Sequence, residues 1–287
     1  MNRRNFLGAG VAGTISLKVF PHHLYAQEKK KYATDRVVLG PRKIELSRLA
    51  MGTGTHGGGG SSNQTRKLGY QGVTELFRAA YDQGVNFWDS ADQYGSHTYV
   101  REALRTIPRE KVVILTKTNN TDPAHVKADL DRFRKELGVD YIDILLLHKM
   151  EAADWNVKLR GAMDVISEAQ ERGIVRSHGT SCHTLEALKT AATEPWVEID
   201  LARINPAKIA MDADPDTVIS VLKQMKANGK GVIGMKILGQ GSLRSKADEC
   251  LQFATANKYL DCFTIGSESR AEMEDLLRKI PSASVRG

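Results

Sequence analysis

The sequence is poor in cysteine, in long apolar runs and in clustered charge. Its three cysteines, Cys182, Cys250 and Cys262, are widely spaced and form no C-x-x-C pair. That excludes a disulfide framework and a zinc motif, and leaves buried thiols packed as small apolar groups. No group of His, Cys and carboxylates has metal-ligand spacing, so no metal is expected. No apolar run after the N-terminal segment is long enough for a membrane helix. Aromatic residues make up 6% of the chain, and none is interleaved with a basic patch. The net charge of +7 therefore does not read as a nucleic-acid surface. No G-x-G-x-x-G follows a first strand, which weakens the dinucleotide-binding doubly wound fold. Low complexity is confined to Gly57-Gly58-Gly59-Gly60.

What is present begins with an address. Arg3 and Arg4 precede Phe6-Leu7 and a short apolar stretch to about Phe20, and Ala26 offers a cut. These first 26 residues hold no acid. A charged start, a short apolar centre and a small residue at the cut describe a signal peptide. The paired arginines point to the twin-arginine export machinery as a partner. Residues 1–26 are read as this leader, 27–35 as a linker and 36–287 as one domain. The protein is then periplasmic or otherwise exported, with no stable membrane insertion after cleavage. If the segment is only a disordered arm, the protein is cytoplasmic.

After the leader the chain alternates. "RVVLGPRKIELS" reads as a hairpin turning at Gly40-Pro41. Short β-branched runs such as "VNFWD", "KVVILTK", "YIDILLLH", "GIVRSHGTS" and "DCFTIG" read as strands. Helical patterns lie between them. "GVTELFRAAYDQG" places Val73, Leu76, Phe77, Ala80 and Tyr81 on one face and stops at Gly84. "DPAHVKADLDRFRKELG" carries Asp122 as N-cap, Pro123 at the first helical position and Gly138 at the stop. With Leu49–Met51 as the first, eight strands and eight helices are counted. The expected class is α/β, a (β/α)8 TIM barrel with a short N-terminal β-hairpin.

In such a barrel the C-terminal ends of the strands gather at one mouth. Asp89, Lys117 and His148 each close an apolar strand, and Tyr94 follows Asp89 in the next loop. A phenol titrates near 10. A neighbouring ammonium would lower that value, and a carboxylate would hold the ammonium in place. The four together form an acid–base set for protonating an oxygen. With no nucleophile or metal in view, the chemistry that fits is hydride transfer between a nicotinamide and a carbonyl.

"NFWDSADQYG", "VVILTKT", "GVDYIDILLLH" and "GIVRSHGTS" resemble the aldo-keto reductase family in order and spacing. The resemblance implies a (β/α)8 barrel, NADP or NAD as cofactor, and a small-molecule carbonyl or alcohol as substrate. It implies Asp89, Tyr94, Lys117 and His148 as a catalytic tetrad, with Tyr94 the general acid. It places cofactor contacts at Gly52, Thr53, Ser181, Cys182, Asn205, Met235, Lys236, Gly266, Ser267 and Arg270. The match departs from the family at several of these. Cys182 and Leu201 stand where the family has amides. Met235 stands where a tyrosine stacks on the nicotinamide, and reads equally as barrel core. Glu272 stands where an arginine grips a 2′-phosphate, with Arg270 as a substitute. An acid beside a ribose favours NADH. The glycine-rich loop after the first strand reads as mobile, either a cover or a slack connector, with His56 and Trp88 able to face the pocket. The alternative to an enzyme is an exported ligand-binding or weakly catalytic barrel.

Overall fold

The computed structural model describes residues 30–285, so the leader read into residues 1–26 lies outside the described residues. The hairpin is present. β1 (Arg36–Leu39) pairs antiparallel with β2 (Ile44–Ser47). Gly40 turns it in the left-handed region at φ 64°. Leu39, Ile44 and Leu46 are buried against Phe87, Ile199 and Ile233 of the barrel interior. The hairpin thereby plugs the N-terminal end of the barrel. Residues 30–35, part of the expected linker, also pack on the domain. Ala33 is buried, and Lys31 donates hydrogen bonds to Ser284 Oγ and the Thr255 carbonyl.

Eight parallel strands close the barrel: β3 (Leu49–Gly52), β4 (Phe87–Asp89), β5 (Val113–Thr118), β6 (Ile142–Met150), β7 (Val175–Cys182), β8 (Ile199–Arg203), β9 (Gly231–Met235) and β10 (Cys262–Gly266). β10 pairs with β3 to complete the ring. Alternate residues divide into two layers, as the pleat requires. Ala50, Phe87, Leu115, Ile144 and Leu146 fill the interior, while Leu49, Met51, Trp88, Ile114 and Leu145 face the helices. Trp88 lies on the outer layer, its ring 4.6 Å from Phe77, so it does not face the pocket.

Caps read from the sequence hold in place. α3 (Pro123–Leu137) starts where the Asp122 carboxylate accepts from the amides of Ala124 and His125, and stops at left-handed Gly138. α7 (Pro215–Ala227) repeats the device with Asp214. α1 (Asn63–Asp82) begins nine residues earlier than its apolar period, on a Ser62/Thr65 capping box, and kinks at Gly69. α2 (His97–Leu104) connects β4 to β5. The remaining outer helices are α4 (Trp155–Lys158), α5 (Arg160–Glu171), α6 (Leu185–Thr193), α8 (Ala247–Ala256) and α9 (Arg270–Ala283). Among the described residues, no helix is long and apolar enough to cross a membrane.

Candidate active site

The structure brings Asp89, Tyr94, Lys117 and His148 to one place at the barrel mouth. Asp89 is the last residue of β4, and Lys117 lies one residue before the end of β5. The Lys117 ammonium is paired with Asp89 Oδ1 and donates to the Ser90 carbonyl at 2.7 Å. The other Asp89 oxygen accepts from Thr264 Oγ1 at 2.8 Å. Tyr94 ends a 3-10 turn (Asp92–Tyr94), released by Gly95 at φ 62°. Its ring centroid lies 5.0 Å from Lys117 Nζ, and its hydroxyl lies 3.4 Å from His148 Nε2. His148 Nδ1 is 3.1 Å from Asn119 Oδ1. With that oxygen as acceptor the proton sits on Nδ1, and Nε2 turns its lone pair to Tyr94.

Electrostatics differ from expectation at Tyr94. Burial, then the Asp89 carboxylate, push the phenol above its usual value rather than below it. The reason is the ion pair: Asp89 neutralises Lys117, so burial dominates. Tyr94 is thus held as a neutral hydrogen-bond donor. Burial also lowers Lys117, against the upward pull of Asp89. Burial and Lys117 push His148 down to about 2, so it stays neutral.

The loop between β3 and α1 is neither slack nor free. Gly54 and Gly57 lie directly on the Tyr94 ring, where any Cβ would collide with it. The Gly60 amide donates to the Gln93 carbonyl at 3.0 Å. Gly54 and Gly57 serve close packing against the phenol, while Gly58, Gly59 and Gly60 have open space around them. His56 is exposed on this loop beside Asn63.

A cleft opens from Asp89 and Tyr94 towards β9 and β10. Of the expected cofactor residues, Gly52, Met235, Lys236 and Gly266 line it. Leu201 lines it too, an apolar group where an amide is expected. Others are committed elsewhere. Thr53 Oγ1 is bonded to the Asp89 carbonyl and Ser96. Ser181 Oγ accepts from the Lys149 amide at 3.0 Å. Cys182 lies in the outer layer beside Thr180 and Asp200, because it alternates with Ser181. Asn205 spends both ends of its amide on the backbone of Ala207, Ile209 and Lys236. Arg270 turns to Glu274 on the surface and does not reach the cleft. Arg244 lines it instead, paired with Glu268 at 3.2 Å and near Glu272 at 3.7 Å. Glu268 is also held by Lys67 and Asn63; burial pushes its carboxyl up, but the bonds from Lys67, Asn63 and Arg244 keep it at about 2.

At Gly52 and Gly266 a Cβ would strike Thr264, Gln64 and Thr55, so these glycines serve packing around the strand ends. One observation suits a bound ligand. The Ser267 hydroxyl is buried with no partner, so a polar donor or acceptor is left for a ligand. Sequence reasoning missed Asn119, Thr264, Arg244 and Glu268. Thr264 was legible in principle, since it lies two before the strand-ending Gly266. Asn119 and Glu268 sit in loops and Arg244 opens a short 3-10 turn, none with a periodic signal. One group of ligand-type atoms exists among the described residues, Asp92, His97 and Glu136. Its atoms are already engaged. Arg132 bonds Asp92 and Glu136, and the His97 ring bonds Glu136 and Thr116.

Comparison with known proteins now fixes the class. The model of the aldo/keto reductase family matches residues 48–280, and the chain belongs to that family. It is 27% identical over 169 residues to the NADH-specific methylglyoxal reductase of Escherichia coli, covering 51% of each chain. It is 25% identical over 221 residues to the D-threo-aldose 1-dehydrogenase of a Pseudomonas species, covering 66% of each. The match thus spans about half to two thirds of the length of these relatives. In fold it is similar to an aldo-keto reductase from Bacillus halodurans in its holo form. That likeness has a TM-score of 0.70 at 16% identity, covering 88% of this chain and 92% of the other. The expected cofactor class, NADP or NAD, is the one this family uses.

Proposed function

We propose that this protein is an oxidoreductase that interconverts a small aldehyde, ketone or sugar carbonyl with its alcohol. The observation that carries the reading is the Tyr94 hydroxyl, neutral and buried, beside His148 and over the Asp89–Lys117 pair. Gly52, Gly266, Ser267 and Met235 would hold the dinucleotide, which supplies or accepts the hydride when bound. Tyr94 gives its proton to the carbonyl oxygen as the alcohol forms. The Lys117 ammonium, 5.0 Å from the Tyr94 ring, would face the phenolate left behind and share its charge with Asp89. His148, kept neutral with its Nε2 lone pair towards Tyr94, orients the phenol hydroxyl. In the reverse direction the phenolate takes the proton back. The assembled acid–base set and the family match favour this over a passive binding barrel.

NADH is the preferred nucleotide in this reading. Arg244, the cation lining the cleft near α9, is already paired with Glu268 and Glu272, and Arg270 points away. A 2′-phosphate there would meet carboxylates rather than a free guanidinium. Calorimetry with NADH and NADPH on the protein and on Tyr94→Phe tests both claims. Both proteins should bind NADH about tenfold more tightly than NADPH, and only the parent should reduce a carbonyl. Absence of binding by either nucleotide would overturn the assignment. The twin-arginine leader makes the enzyme an exported one. Fractionation of tagged protein checks that, since Arg3→Lys with Arg4→Lys should keep it in the cytoplasm.

A further inference from the structure

Behind the mouth, on the helix side of β5, one guanidinium gathers three carboxylates. Arg132 of α3 bonds Asp92 at 2.7 Å, Asp129 at 2.6 Å and Glu136 at 3.0 Å. Each carboxylate leads to a different part of the tetrad. Asp92 opens the 3-10 turn that ends in Tyr94. Asp129 accepts from Thr118 Oγ1 at 2.5 Å and from the Asn120 side-chain amide at 2.8 Å. Those two residues flank Asn119, whose side-chain oxygen fixes the His148 ring. Glu136 is bonded to His97 Nδ1 at 2.7 Å, and His97 Nε2 to Thr116 Oγ1 at 2.7 Å. Thr116 and Thr118 stand on either side of Lys117 in β5, turned outward where the lysine turns inward. Neither Arg132 nor any of its three carboxylates lines the cleft.

Stability alone does not account for this arrangement. Ligand-type atoms of Asp92, His97 and Glu136 lie within 4.8 Å of one another, so two carboxylates meet at short range. Such a pair repels unless a cation stands between them. The Arg132 side chain is 42% exposed, and ion pairs open to water contribute little to folding. Its fork of donors fixes directions instead, with one nitrogen on Asp92 and Glu136 and the other on Asp129. We propose that Arg132 is a positioning residue of the reductase. From outside the barrel it fixes the Tyr94 turn and the end of β5, and through them the distances between the phenol, Lys117 and His148. It touches neither substrate nor cofactor. The inference rests on the reductase reading and adds a residue whose loss slows the chemical step while leaving both binding steps alone.

The test is steady-state reduction of nitrobenzaldehyde and glyceraldehyde with NADH by the full chain. Arg132→Met should lower kcat by about tenfold to a hundredfold, with KM and the calorimetric NADH affinity within about threefold of the parent. Arg132→Lys should recover only part of kcat, because an ammonium cannot fork to three carboxylates. Guanidinium ion, well below the concentration that unfolds the protein, should raise kcat in Arg132→Met and leave the parent unchanged. Arg134→Met is the control. Its partners, Asp131 and the carbonyls of Leu130 and Asp140, lead to no member of the tetrad, so kcat should stay at the parent value. Should Arg132→Met fail to fold, Asp92→Asn decides, with an expected loss of about tenfold in kcat at unchanged NADH affinity. A parent-like kcat in the folded variant, or a loss of NADH affinity as large as the loss of kcat, would overturn the proposal and leave the reductase standing. A parent that binds NADH and reduces neither aldehyde would remove the reductase reading, and this inference with it.

Discussion

Lys236 lines the dinucleotide cleft and titrates in a useful range. Burial, with Arg203 and Lys117, brings its ammonium down to about 8. Its contribution to NADH affinity should be complete below that value and fade as pH rises through it. Calorimetry with NADH on both sides of this pH checks the sign. Lys117 tests a different balance. It is 1% exposed and its partner Asp89 is also buried. Lys117→Met strands a buried carboxylate and should cost on the order of 3–5 kcal/mol in a denaturant titration. Adding Asp89→Asn should recover part of that loss, since the pair is then removed as a pair.

At the scale of elements, the loop between β3 and α1 decides where the phenol sits. Gly57→Ala places a methyl group against the Tyr94 ring and should lower kcat by about tenfold to a hundredfold. Gly58→Ala has open space around it and should leave kcat where it is. Stopped-flow reduction by the two variants separates packing from mobility. The same loop shows what was legible. The barrel strands, the hairpin and the capped helices α3 and α7 follow from period and punctuation. The six residues before the Gly69 kink in α1 carry no apolar period, only a polar capping box, and so read as loop. Side-chain direction follows from strand alternation. Phe87 points inward and Asp89 reaches the mouth, so Trp88 between them must point out. Ser181 bonds Lys149 at the mouth, so Cys182 after it must turn to the helices. The Glu268 cluster was invisible, because Asn63, Lys67, Arg244 and Glu268 are joined only by closure of the ring.

The whole molecule should be sensitive to mild acid. Burial holds His148 at about 2, His183 at about 3 and His178, stacked on Trp196, at about 4. In the unfolded chain each titrates near 6.5. Below that pH the unfolded state takes up protons that the folded state refuses, so stability falls as pH falls. Asp200 acts in the opposite sense. Burial raises it to about 7, so the folded state accepts its proton first. Melting temperature should therefore drop from neutral pH towards pH 5, and drop more steeply in Asp200→Asn. The three thiols are all buried, and burial raises each of them. Ellman's reagent should find them only after unfolding.

The interior layer of Ala50, Phe87, Leu115, Ile144 and Leu146, with Leu39, Ile44 and Leu46 of the hairpin against it, carries a kinetic consequence. Nothing passes through a packed barrel, which leaves a vessel with one neck at the mouth. Two reactants that meet at Tyr94 must use that neck in turn. Whichever lies deeper enters first and leaves last, so the order of arrival is written into the walls of the vessel.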